Sequence, residues 1–444
     1  MKIKILVFVG LLVAIIIMQI FVPDLGQTHI VRMEPTGLSV SYNFDDSPSF
    51  HSHNGRFFYT ATRDGMFYRT ANMELRWSES FNFSNPIMVT RGDIVAVGDR
   101  TGGRMVYVFN PQGLMFSVDF GYPVQFFNVN ATGILSAIVQ KTYGSYIYVY
   151  SPQSARAGES IFYERAMGDM LQPTGVDVSP DGRYIAIATL DTEIRMQTII
   201  TFRYLNEADA LAWRTEEGLF SAEVFHGEIV TSIRFMAGDR LLVTTPSRIV
   251  CFQINARSYA ISTQDILWVE ELTNVLTHLD FYNDRYFAYI VGERNIGEME
   301  GSDPGTLYIK NIDGHTVGTF SMGRNATHIS MGSGAVIVGS DRNFHAIGLT
   351  GTHLWEHNSI HDTRDVIFVG DTDTILVAGQ NRAEINTRQR VRNGPSDSQL
   401  PEHSLEINLD HAPESDFDFD PLPEPVAEPA YFPETEQLII EEEG

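Results

Sequence analysis

Lysine is nearly absent from this 444-residue chain, which carries only Lys2, Lys4, Lys141 and Lys310. Lys and Arg together number 31 against 56 Asp and Glu, for a formal charge of −25 at pH 7. That balance excludes nucleic acid as a partner, because phosphate contacts need clusters of Lys and Arg. Cysteine is scarcer still. Cys251 stands alone, so no internal disulfide can form, and its neighbours Ile249, Val250 and Phe252 mark it as a small buried hydrophobe. The sequence also lacks a Gly-x-Ser-x-Gly nucleophile elbow, a phosphate-cradling P-loop, a His-Glu-x-x-His zinc motif and an Asp-x-Asp-x-Asp-Gly calcium loop. Apolar material is plentiful: 43% of residues are hydrophobic and 11% aromatic, enough for a large core.

The first long apolar run is N-terminal. Residues 5–22 are interrupted only by Gly10 and Gln19. As a helix they would span roughly 27 Å, close to the hydrocarbon thickness of a bilayer. Lys2 and Lys4 precede the run, and Asp24 and Glu34 follow it. The positive-inside bias then keeps the N-terminus cytoplasmic and sends the remainder across. A cleaved signal peptide is the competing reading, but residues 18–23 lack a small-x-small cleavage signature. The expectation is a signal-anchor helix over residues 1–23 in a single-pass membrane protein.

One strand pattern then recurs: four to seven apolar residues, mostly β-branched or aromatic, often closing on Gly, Thr or Ser. Copies fall at residues 56–62, 94–98, 134–139, 184–189, 241–245, 287–292, 335–340 and 375–379. Their spacing of about 40 to 55 residues is the period of a four-stranded propeller blade. Near-continuous apolar runs suit inner strands, since each blade packs against a neighbour on both faces. A short strand precedes most copies, sometimes through a tight turn such as the one at Pro180, Asp181 and Gly182, where Pro presets φ and Gly tolerates a positive φ. Two outer strands follow, joined by turns that contain Gly113, Gly314 or Gly351. The predicted fold is an all-β propeller over residues 24–392 with eight four-stranded blades, or seven if a weak pair within residues 50–100 is only partly formed. Strands from both chain ends would complete the ring, residues 28–33 and 38–44 joining residues 384–391 and removing an exposed sheet edge.

Trp77, Trp213, Trp268 and Trp355, the only tryptophans, each sit early in the strand after an outer turn. A large flat ring at that address would pack on the next blade and tie neighbours together. Their expected role is structural docking between blades.

These motifs carry a resemblance. The Val-Asp-Val-Ser-Pro-Asp-Gly string ending at Gly182 resembles WD40- and TolB-like propellers. The Gly-x-x-x-Trp spacing from Gly351 to Trp355 resembles the tryptophan-docking repeat of quinoprotein-like (PQQ-like) propellers. The order of anchor, short linker and degenerate propeller is similar to uncharacterised membrane-anchored propeller proteins of bacteria. In quinoproteins an adjacent-cysteine disulfide stacks on the quinone; with Cys251 alone, the resemblance implies the scaffold without the cofactor.

Residues 393–444 differ in kind. They hold 15 Asp and Glu and no Lys or Arg, so the rest of the chain keeps 41 acids against 31 bases, a charge of −10. Prolines recur at 395, 401, 413, 421, 423, 425, 429 and 433. Such a segment cannot bury enough apolar surface to offset its ordering entropy, so a disordered acidic tail is expected. Phe417 and Phe419 among aspartates, and Leu438, Ile439 and Ile440 before the terminal glutamates, are candidate docking motifs.

No constellation of catalytic side chains emerges, and no metal or cofactor site. His353, His357 and His361 share a face only on a helix, whereas Trp355 lies in a predicted strand. His51 and His53 read as an exposed loop. The resulting expectation is an extracytoplasmic module that binds or scaffolds a protein or a cell-envelope polymer. A hydrolase or lyase with carboxylates converging on the central channel is the alternative, and a cytoplasmic sensor platform the third reading.

Overall fold

In the computed structural model, the described residues are 31–390 apart from 43–47, 54–55, 166–170, 194–195, 206–218, 255–265, 273, 293–304 and 323–325. They form eight four-stranded antiparallel sheets. Seven of these are continuous in sequence, and they begin with Ser49–His53, Pro86–Arg91, Val124–Val129, Leu171–Val178, Ser232–Met236, Leu276–Tyr282 and His328–Gly332. We number them blades 1 to 7. Blade 8 starts with Asp365–Phe368, continues through Thr374–Ala378 and Arg382–Arg390, and takes its fourth strand, Val31–Ser41, from the other end of the chain. The ring therefore closes by mixing both ends, as expected. The two N-terminal pieces are one strand, bulged between Pro35 and Ser39, and Val31 pairs with Arg390.

The recurrent apolar run is the second strand of each blade, not the innermost one. Thr374–Ala378 and Tyr286–Val291, for example, each lie between two other strands of their blade. Both faces of a second strand meet neighbouring blades, so nearly every residue is buried and the run reads as continuous. First strands adjoin those of the next blade around the channel, and their polar residues hide them from a search for apolar runs.

The core is correspondingly divided. Eight hydrophobic clusters lie one in each seam between blades, such as Tyr59, Met66, Val95 and Phe109 between blades 1 and 2. Cys251 is fully buried in the seam of blades 5 and 6, and burial pushes its thiol up to about 12. The described helix is one short turn, Pro152–Ala157, with a reciprocal Ser151 and Ser154 capping box and Gly158 left-handed at its C-terminus.

Candidate functional site

Turns between first and second strands and between third and fourth strands gather on one face of the ring, here called the turn face. A cavity of about 720 Å³ opens there at the channel mouth, with His51, Asp93, Arg234, Asp284, Ser333 and Asp371 in its wall. The backbone aims several of these groups. Asn283 and Asp284 both adopt positive φ, 53° and 49°, in the three-residue hairpin loop between the paired Tyr282 and Tyr286. The turn delivers the Asp284 carboxylate to the channel.

Beneath the mouth an ionic lattice crosses the channel. Arg91 of blade 2 is 1% exposed; its Nη1 donates to Asp177 Oδ2 of blade 4 at 2.9 Å and its Nε to Asp284 Oδ2 of blade 6 at 3.2 Å. Its Nη2 donates to the Phe235 carbonyl of blade 5. Arg234 Nη2 donates to the other Asp284 oxygen at 3.1 Å, while its guanidinium covers the Phe281 ring at 4.4 Å. Asp177, fully buried, also accepts from the backbone N–H of Phe235 at 2.6 Å, from Val178 and from Asn128 Nδ2. A buried ion pair persists only when its remaining polar atoms are met. Each guanidinium nitrogen of Arg91 and both oxygens of Asp177 have a partner, whereas the buried Nε of Arg234 has none among the described residues.

The same device recurs around the channel. Asp280 of blade 6 accepts from its neighbour Phe281 and from Met331 N of blade 7 at 2.7 Å. Asp365 of blade 8 accepts from Val366 and from Phe50 of blade 1. Burial raises the pKa of both carboxyls, against the pull of those N–H donors. These aspartates stitch the first strands of adjacent blades together.

On the mouth wall, His53 Nδ1 meets Tyr68 Oη and its Nε2 meets Asp93 Oδ1, both at 2.8 Å. Tyr68 is held protonated by burial, its pKa pushed up to about 12. His51 Nδ1 lies 3.3 Å from Thr90 Oγ1, and burial beside His53 and Arg234 pushes its pKa down to about 4. These histidines belong to the innermost strand of blade 1, not to an exposed loop as the sequence suggested.

The family described as a family of unknown function, DUF5711, matches residues 39–386. The chain belongs to that family. No curated protein matches it. Among solved structures, this DUF5711 member is similar to BamB from Moraxella catarrhalis, at 12% identity and a TM-score of 0.44 over 80% of this chain and 99% of that one. It is similar to the β-propeller domain of Cps50 (Swd1) from Myceliophteria thermophila, at 10% identity and 0.42 over 80% and 99%. It is also similar to Raptor from Chaetomium thermophilum, at 11% identity and 0.43 over 82% of this chain and 30% of that one. Likeness at these scores carries no functional argument.

In the DUF5711 ring, Trp77, Trp268 and Trp355 occupy one address in the fourth strands of blades 1, 5 and 7. Each pairs with the residue just before a bulge, respectively Tyr68, Cys251 and Ala346. Their Nε1 atoms donate into the next blade: Trp77 to Pro111 O at 3.0 Å, Trp268 to Ile312 O at 3.0 Å and Trp355 to Thr372 O at 2.6 Å. Trp77 stacks on Phe109 and Trp268 on Phe287, ring centroids 5.5 and 6.1 Å apart. Trp213 lies outside the described residues, and Ser221 holds the corresponding register in blade 4. Asp181 and Gly182 form the first turn of blade 4: Asp181 Oδ1 accepts from Ser179 Oγ and Arg183 N, and Gly182 has φ 74°. The N-terminal apolar run and Phe417, Phe419, Leu438, Ile439 and Ile440 lie outside the described residues.

Sequence reasoning missed Arg91, Asp177, Asp280 and Asp284. The available signal was a charged residue inside or capping an apolar strand, as with Asp177 between Val176 and Val178.

Proposed function

We propose that this chain is a membrane-anchored, extracytoplasmic module that binds a protein or a cell-envelope polymer at the channel mouth, without catalysis. The observation that carries this reading is the engagement of the channel's ionisable groups in construction. Arg91, Asp177, Asp280, Asp284 and Asp365 hold blades to one another, and both ring nitrogens of His53 are occupied. Such groups give a stiff rim around a polar recess, which suits recognition by turns presented on a rigid ring. The anchor reading rests on the apolar run at residues 5–22 and the charges that flank it. Val31 pairs with Arg390 at the turn-face end of blade 8, so an anchor upstream of Val31 would turn the channel mouth towards the membrane.

The competing reading, a hydrolase or lyase, draws on the Tyr68, His53 and Asp93 array at the cavity wall. One comparison separates the two. The full-length chain and its Asp93→Lys/Asp371→Lys variant are cross-linked in intact cells, and both are assayed on a panel of envelope glycans and peptides. A partner that cross-links to the wild type and is lost from the variant, with little change in melting temperature, is the expected outcome. Turnover of any panel member that disappears in His53→Gln would replace binding with catalysis.

A further inference from the structure

The tryptophan address can be followed around all eight seams. It is the fourth-strand residue opposite the third-strand residue that pairs with the third position of the second strand. The address holds Trp77, Phe116, Tyr163, Ser221, Trp268, Gly318 and Trp355 in blades 1 to 7. In blade 6, where Gly318 stands, the outer turn of blade 7 closes onto the vacancy: a Cβ on Gly318 would lie 2.4 Å from Gly351 N. Blade 8 differs. Leu376 pairs with Ile385, and the fourth strand opposite Ile385 bulges through Thr36, Gly37 and Leu38.

An open groove of about 540 Å³ lies at this closing seam. Its wall is part apolar, from Leu38 and Ile385 of blade 8, Val369 of that blade's first turn and Ala71 of the outer turn of blade 1, and part polar, with Thr36 and Asp371. Ala71 follows the third strand of blade 1 directly, as Pro111 and Ile312 follow theirs, so its carbonyl stands where theirs receive Trp77 and Trp268. Arg56 is exposed at the rim, where a guanidinium can lie on an aromatic face.

We propose that the seam between blades 8 and 1 is a docking slot for a tryptophan-bearing segment of a partner protein, whose indole takes the place that Trp77 and Trp268 fill in their own seams. The commitment to an indole comes from the molecule's own repeats, which show the ring stacked between blades and its N–H on the turn carbonyl. The groove exceeds one indole in volume, leaving room for flanking backbone. Large aromatic anchors seated in pre-formed, partly apolar pockets carry most of the energy in many interfaces. The slot borders the channel mouth, sharing Gly370 and Asp371 with it, and is tested at Leu38 and Ala71, which line the slot alone.

The test uses a capped seven-residue Gly/Ser peptide with a central 5-fluorotryptophan, observed by ¹⁹F NMR as the full-length chain is added. The expected result is a shifted, broadened resonance in wild type. Leu38→Trp, which brings an indole from the bulge itself, and Ala71→Arg, which obstructs the turn wall, should each weaken binding by at least about tenfold. Leu38→Trp should also raise the melting temperature, because it fills the seam from within. No response in wild type, or a response unchanged in both variants, overturns the slot. Equal affinity for N-acetyltryptophanamide overturns the assignment to a protein segment and points to a free indole compound.

Discussion

Arg91 is the residue on which the channel most depends. Its guanidinium is withdrawn from water and shared among blades 2, 4, 5 and 6. Removing one partner of a buried pair leaves the other charged and unpaired, which costs more than the pair contributes. Arg91→Met should therefore lower unfolding stability by about 3–5 kcal/mol in guanidinium titrations, and Arg91→Met/Asp177→Leu should recover part of that loss. A double variant no better than the single one would show that Asp177 is not the stranded charge. None of this pairing was legible in the sequence, because Arg91 and Asp177 meet across two blades and nothing local marks either for the other. His51 and His53 were misread for a related reason. A first strand has one side on the channel, so its polar residues resemble those of a loop. Cys251 was legible from its neighbours alone.

Elements were easier to read than residues. Second strands announce themselves because both faces are buried, and their runs gave the blade period directly. The tryptophan address was also visible, since an indole early in the strand after an outer turn is a local pattern. Its other occupants were not, because Phe116, Ser221 and Gly318 carry no comparable signature. Gly318 is the sharper case: its lack of a side chain admits the backbone of the next blade, and Leu349 O and Gly351 N lie 2.8 and 2.4 Å from where a Cβ would sit. Backbone cannot rotate aside as a side chain can. Gly318→Ala should cost about 1–3 kcal/mol by thermal or chemical denaturation, the range of overpacked cores. A neutral result would mean that blades 6 and 7 can part at little cost.

Across the whole ring, eight sheets and closure by both chain ends followed from counting strands against the period. Which strands line the channel did not follow, since the count is the same if first and second strands exchange roles. Closure has a measurable consequence. Deleting residues 1–41 removes the outer partner of Arg382–Arg390 and leaves that side of the strand as an open edge, a template for association with other chains. Size-exclusion chromatography with light scattering should show concentration-dependent oligomers, and a synthetic peptide of residues 31–41 should return the shortened chain to a monomer. A monomer that melts like the intact chain without peptide would show that three strands suffice for blade 8.

The pairing of Val31 with Arg390 also sets an order of events at the ribosome. The strand Val31–Ser41 precedes the seven continuous sheets but belongs to the last blade that can be completed, so it must wait while those sheets are synthesised and folded. Contacts this distant in sequence are slow to form and leave edges exposed meanwhile. Any interruption of synthesis before residue 382 releases a chain whose opening strand has no mate, and quality control would meet the same unfinished seam each time.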